Sequence, residues 1–226
     1  TRGRPTVETT LTAGTLSATA SVPSGKSIGE HEAVELPAAQ AVENVNGEIA
    51  RAIAEYNFNS LDELDSFLIK LDGTPNKSRL GANAILSVSI AAQRLNALQK
   101  GIPLWQAIAR RAETVPAAPR LFVNAINGGV HALTAQAGGF RLPFQEYILI
   151  VEGKTSTALP IAQKAFKKLG EKLGDVPMGD EGGYSPTYTT IDEPFKVLAE
   201  LVDEYPEETA LAIDAAASEL FHDGAY

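Results

Sequence analysis

The sequence predicts two unlike parts, an α+β unit of a β-hairpin plus helices over residues 1–114 and the first part of a β/α barrel over residues 115–226. Three observations carry this reading. Strict alternation of apolar and polar residues is confined to the first 22 positions and then gives way to helical spacing. Val115-Pro116-Ala117-Ala118-Pro119 is a short proline-rich break. Beyond it, short continuous apolar runs are interleaved with amphipathic stretches, which is how buried strands and their covering helices read.

In order along the chain, Val7, Thr9 and Leu11 share one side of residues 6–12, and Leu16, Ala18, Ala20 and Val22 share one side of residues 16–22. Joined near Ala13-Gly14, the two runs read as a hairpin. Pro23-Ser24-Gly25-Lys26-Ser27-Ile28-Gly29, ending in Glu30-His31-Glu32, reads as a glycine-hinged lid. Val42, Val45, Ile49 and Ile53 place an apolar stripe on a helix from Gln40 to Tyr56. Ser60 with Glu63 forms a capping box for a second helix carrying Leu61, Leu64, Leu68 and Leu71, which breaks at Asp72-Gly73-Thr74-Pro75-Asn76. A helix over 82–100 is apolar on nearly every face in its first half, so it is expected to be the buried one, and a shorter helix over 103–112 follows.

Past the break, Leu121 to Ile126 reads as a buried strand that runs into Asn127-Gly128-Gly129-Val130-His131. Gln145 to Val151 reads as a second strand and Leu211 to Asp214 as a third. Between those two lie helices over 157–173 and 191–205, the latter with a capping box from Thr190 to Glu193 and Pro194 in its first turn. There is no internal repeat and no low-complexity tract.

Composition narrows the function classes. The chain of 226 residues has 19 basic against 28 acidic residues, a net charge of −9, and no Lys/Arg cluster that could track a phosphate backbone, which argues against a nucleic-acid partner. No apolar run reaches the length of a membrane span and no signal-peptide layout is seen, so a soluble, cytoplasmic protein is expected. With no Cys, thiolate metal sites are excluded and any metal is expected to be a hard ion held by oxygen. The chain begins at Thr1 and stops in the turn-like Asp223-Gly224-Ala225-Tyr226, which reads as a piece of a longer protein.

The densest chemistry is Met178-Gly179-Asp180-Glu181-Gly182-Gly183, two carboxylates among three glycines. It is either an acidic tight turn or a close-approach loop for acid–base or metal chemistry. Asp214, at the end of its strand, is either a catalytic carboxylate of a barrel or a helix N-cap. Glu146 begins its strand and can join such a site only if that strand runs antiparallel to its neighbours. His131 beside two glycines either contacts a ligand or caps a loop, and His31 and His222 read as surface or structural residues.

Four stretches together resemble the enolase (phosphopyruvate hydratase) family: residues 23–33, Leu71-Asp72-Gly73-Thr74-Pro75-Asn76-Lys77-Ser78-Arg79-Leu80-Gly81-Ala82-Asn83-Ala84-Ile85-Leu86, the glycine-flanked Asp180-Glu181, and Ile213-Asp214-Ala215-Ala216-Ala217-Ser218-Glu219. The resemblance covers about the first half of an enolase. It implies a small α+β domain followed by a barrel whose second strand is antiparallel, and Mg²⁺-dependent interconversion of 2-phosphoglycerate and phosphoenolpyruvate by a homodimer. By resemblance, Glu181 is the acid that assists departure of the 3-hydroxyl, with Glu146 beside it. Asp214 is similar to a ligand of the tighter Mg²⁺ and Ser27 to the lid group on the second, while His131 and Gln145 are similar to substrate contacts. The lysine base, two further metal carboxylates and a phosphate-binding Arg-Ser pair belong to the half not included. Departures from the family pattern are Arg4, Lys26, Ile28, Tyr184, and Leu36-Pro37-Ala38-Ala39-Gln40, which is shorter than the usual connection. A second reading is an enolase-derived chain that serves as a binding or assembly partner without catalysis. The Leu71-Asp72-Gly73-Thr74-Pro75-Asn76-Lys77-Ser78 stretch argues against a related acid-sugar dehydratase or racemase.

Overall fold

Alternation in the first 22 residues does produce a hairpin, with β1 (Val7–Ala13) antiparallel to β2 (Leu16–Val22) in register from Val7↔Val22 to Ala13↔Leu16. The computed structural model describes residues 3–25, 28–132, 142–179, 181–206 and 208–225, in two units, Thr1–Pro116 and Ala117–Tyr226.

In the first unit the hairpin buries Val7, Ala20 and Val22 with helix α4 (Ala82–Gln99). Thr9 and Ser87, both buried, satisfy one another across that contact at 2.7 Å. The helix expected over 40–56 runs from α1 (Ala38–Asn44) through a π-helical turn at Val45–Ile49 into α2 (Ala50–Ala54). It ends before Tyr56, whose ring packs with Phe58 and Phe67. Helix α3 (Leu61–Asp72) is capped as its sequence predicts: the Glu63 N–H donates to Ser60 Oγ at 3.1 Å, while Glu63 Oε2 accepts from the Asn59 N–H. Helix α5 (Leu104–Arg111) ends in Arg111, which bridges Asp62 and Asp65 of α3.

The unusual stretch from Leu71 to Leu86 is scaffold. Asp72, buried at the end of α3, accepts the N–H groups of Thr74 (2.9 Å) and Leu80 (2.7 Å) and the Thr74 hydroxyl. Burial pushes this carboxyl up, but those donors outweigh it and hold it below the ordinary aspartate value. Asn83 accepts the Leu36 N–H at 3.2 Å and donates to the Leu36 carbonyl at 2.8 Å, and Ala82 donates to Val34. The short connection after Leu36 is thereby fixed before Pro37 opens α1.

The second unit is a three-stranded sheet ordered β3 (Leu121–Asn127), β4 (Glu146–Val151), β5 (Thr209–Asp214), with β4 central and antiparallel to both neighbours. One face, with Tyr147, Leu149 and Val151, is buried under α6 (Thr155–Leu173) and α7 (Glu193–Glu204). Leu149, Leu169, Leu198 and Leu201, each fully buried, contribute roughly 2 kcal/mol apiece. The capping box expected from Thr190 to Glu193 does not form: α7 starts at Glu193 with Asp192 as its N-cap and no side-chain cap bond, and the Glu193 carboxylate takes the Thr189 N–H (2.8 Å) and hydroxyl (2.9 Å) instead. Among the described residues no helix is long and apolar enough to cross a membrane.

Candidate active site

Antiparallel pairing decides which side chains meet. Because β4 runs against both neighbours, its first residue lies beside the last residues of theirs: Glu146 pairs with Asn127 of β3 and with Asp214 of β5. Directly paired residues project from the same face, so Asn127, Glu146 and Asp214 form one polar row along the end of the sheet. Backbone bonds lock that row, with Gln145 N–H donating to Asp214 O at 2.9 Å and Gly128 N–H to Gln145 O at 2.8 Å.

Glu181 reaches the row from the glycine loop, which is tied to β3. A bulge at Ala125 interrupts the β3–β4 register, freeing the Ala125 carbonyl to accept the Tyr184 N–H (3.0 Å) while Tyr184 O accepts the Asn127 N–H (2.8 Å). The bulge also brings Asn124 and Asn127, three residues apart, to one face, where Asn124 Nδ2 donates to Asn127 Oδ1 at 2.9 Å. Asn127, 1% exposed, in turn donates to the Gly183 carbonyl at 3.0 Å. Two loop glycines owe their place to this side chain: a Cβ on Gly179 would come within 2.0 Å of Asn127 Nδ2, and one on Gly183 within 2.5 Å of its Oδ1. Of Gly179, Gly182 and Gly183, only Gly182 has positive φ, at 83°. Tyr184, after the glycines, stacks on Phe166 of α6.

His131 closes the cluster from a short 3₁₀ turn, Gly129–His131. It is 3% exposed, and its Nδ1 lies 2.9 Å from Glu181 Oε2 and 3.7 Å from Glu146 Oε1. Neither approach has the alignment of a hydrogen bond, so both imidazole nitrogens are buried without a hydrogen-bond partner. Glu146 is raised from 4.5 to about 7, first by burial, then by its hydrogen bond to Glu181 and by the charges of Glu181 and Asp214. Glu146 in this state holds a proton near neutral pH beside Glu181, the property a general acid site needs.

Gln145 is buried with Oε1 unpartnered, and it lines a cavity of about 320 Å³ with Gly129, Pro143, Ala216, Glu219, Leu220 and His222. Asp214 is exposed, and its Oδ1 accepts the Ala216 N–H at 2.9 Å. That is a local turn contact, because the next element is a 3₁₀ turn at Ala217–Glu219 whose N-cap is Ala216. An exposed carboxylate engaged by a single N–H fits one ligand of a hard, oxygen-binding cation, which needs further oxygens to complete its shell. The described group of three residues with metal-compatible spacing is instead His131, Glu146 and Glu181.

Of the sequence-predicted residues, Glu181, Glu146 and His131 converge, with Asp214 and Gln145 flanking Glu146. Ser27 lies outside the described residues, as does Asp180. His31 and His222 are exposed. Asn124 and Asn127 were missed; the signal available was Asn127 immediately before two glycines.

Known families account for this arrangement. Residues 1–108 match the enolase N-terminal domain and residues 115–226 the enolase C-terminal TIM barrel domain. The chain belongs to the enolase family. A curated relative, the enolase of Methanocaldococcus jannaschii, is 41% identical over 246 residues, an alignment that covers 100% of this chain and 56% of the relative. The chain thus spans about half the length of that enolase, and its second unit is a partial enolase barrel with the central strand reversed.

Proposed function

We propose that the protein is a Mg²⁺-dependent lyase that interconverts 2-phosphoglycerate and phosphoenolpyruvate plus water, with residues 1–114 and 115–226 as its N-terminal and barrel domains. The observation that carries this reading is the contact of Glu146, Glu181 and buried His131 at one end of the sheet, with Glu146 raised to about 7 by burial and its carboxylate neighbours. In the elimination direction a hydroxyl must leave as water, and Glu181, supplied through its hydrogen bond to Glu146, protonates it. Asn127 holds the Glu181 loop so that the carboxyl need not search for its position. Gln145 and His131, with buried unpartnered polar atoms, contact the substrate beside the 320 Å³ cavity. Asp214 and, from the lid, Ser27 hold Mg²⁺. The bound cation supplies positive charge against the negative charge that builds up when a proton is taken from beside a carboxylate. The homodimer and cytoplasmic location implied by the resemblance belong to the same proposal.

The test is phosphoenolpyruvate formation from 2-phosphoglycerate by the full-length protein in saturating Mg²⁺. Turnover is expected there and not from residues 1–226 alone, which carry one barrel-end metal carboxylate and no lysine base by the resemblance. Absence of turnover in the full-length protein would overturn the assignment.

A further inference from the structure

We infer that Tyr184 is a positioning residue for Glu181. Its ring, seated on Phe166 and Gly170 of α6, holds the glycine loop in place against the end of the sheet, and position 170 is glycine to leave room for that ring. The seating stands on geometry alone, and its effect on turnover rests on the proposed function.

The loop folds back on itself. Met178 and Tyr184 bridge one another antiparallel, Gly179 N–H donates to Gly183 O and Gly182 N–H to Gly179 O, each at 2.9 Å, so Glu181 lies in the turn that closes between them. Tyr184 fastens this turn to the rest of the unit. Its backbone bridges Ile126 of β3, donating to Ala125 O and accepting from the Asn127 N–H. Its ring stacks on Phe166, with centroids 4.8 Å apart and planes inclined by 22°.

Gly170 supplies the independent observation. It lies in the last turn of α6, four residues after Phe166 and so on the same face. Its carbonyl accepts the Gly174 N–H at 3.0 Å in the ordinary helical pattern. Its φ is not positive, so the backbone does not call for glycine, and Ala is the better helix former. Space calls for it: a Cβ at position 170 would lie 2.8 Å from Tyr184 Cζ and closer still to Oη. The ring cannot yield easily, because Phe166 backs it, β3 holds both backbone groups of Tyr184, and the residue packs against the core of the unit. A shift of the ring is therefore passed to the turn, where Glu181 stands 2.9 Å from His131 Nδ1. Misplacing a reacting group by about 1 Å can lower a rate roughly 10²-fold.

The experiment is a double-mutant cycle in the full-length protein with Gly170→Ala, Tyr184→Ala and the two combined, and Tyr184→Phe beside it. Urea unfolding, and kcat and KM for 2-phosphoglycerate, are read for each. With Tyr184 present, Gly170→Ala is expected to lower the urea midpoint; added to Tyr184→Ala it is expected to raise the midpoint, as Ala ordinarily does in a helix. Gly170→Ala and Tyr184→Ala are each expected to lower kcat about 10- to 10²-fold with KM within a few-fold of wild type, as for an interaction made only in the transition state. Joining them is expected to lower kcat no further than Tyr184→Ala alone, and Tyr184→Phe, which keeps the ring, to recover most of what Tyr184→Ala loses. Circular dichroism identifies a variant that does not fold. Tyr184→Leu then replaces Tyr184→Ala in the cycle, and a Gly170→Ala protein that folds only with the second substitution reports the same seating. A midpoint unchanged or raised by Gly170→Ala in the presence of Tyr184 overturns the seating, and unchanged kcat in folded Gly170→Ala overturns the positioning. The unfolding cycle needs no turnover. A wild-type protein inactive on 2-phosphoglycerate whose variants show the reversal of sign would refute the proposed function, and with it the effect on turnover, and leave the seating standing.

Discussion

Replacing Glu146 by Gln separates the charge of this residue from its shape, because the amide keeps a donor for Glu181 and cannot ionise. In the wild-type protein without divalent cations, a carboxyl raised from 4.5 to about 7 makes the folded state bind its proton more tightly than the unfolded chain does. The resulting stabilisation is fully present below about pH 4.5 and is lost as pH rises through about 7. At 1.36 kcal/mol per pKa unit the full effect is about 3 kcal/mol. Glu146 keeps 18% side-chain exposure, and solvent screening brings the expected loss to about 1–2 kcal/mol. The assay is urea unfolding of wild type and Glu146→Gln between pH 4 and pH 8, followed by near-UV circular dichroism of the tyrosines. Subtracting the two curves removes groups that titrate alike in both. The wild type is expected to lose stability relative to the variant across that interval. Parallel curves would refute the claim that Glu146 is held protonated by its burial and its carboxylate neighbours.

Asp214→Ala is expected to weaken Mg²⁺ binding at least tenfold by calorimetry while leaving circular dichroism unchanged, since the residue is an exposed strand-end carboxylate; unchanged affinity removes it from the ligand set. Asn127→Ala removes the side-chain donor of the Gly183 carbonyl, which still accepts the Gly179 N–H, at a cost of about 0.5–1.5 kcal/mol. Through displacement of the Glu181 loop it should lower kcat about 10- to 10²-fold with Mg²⁺ affinity unaltered. A variant with normal kcat would limit Asn127 to stability. Residues 1–226 expressed alone are expected to show no turnover of 2-phosphoglycerate in saturating Mg²⁺, and activity comparable to that of the full-length protein would show that the site is complete without further carboxylates.

Much of the first unit is legible because its signals are local. Alternation gives the hairpin, and Ser60 with Glu63 marks the start of α3. The second unit is legible in its strands and helices but less so in its site. Glu146 opens its strand, and only the direction of β4, a long-range property, puts it beside Asp214. Asn124 and Asn127 lie three apart, which a regular strand would send to opposite faces; the bulge at Ala125 that reunites them has no marker in the sequence. The loop glycines were readable as a demand for space, but which side chain fills that space depends on the return of Tyr184 to β3. The Leu71–Leu86 stretch shows the converse, because its unusual composition identifies the family while its atoms hold up the segment around Leu36.

The account turns on Glu181 as a proton donor, and kcat for the Glu181→Gln variant of the full-length protein at saturating 2-phosphoglycerate and Mg²⁺ tests this most directly. Gln keeps the size and polarity of the side chain but carries no transferable acid proton, so kcat is expected to fall by about 10² or more. Turnover within a few-fold of wild type would contradict the assignment of general acid chemistry to this loop.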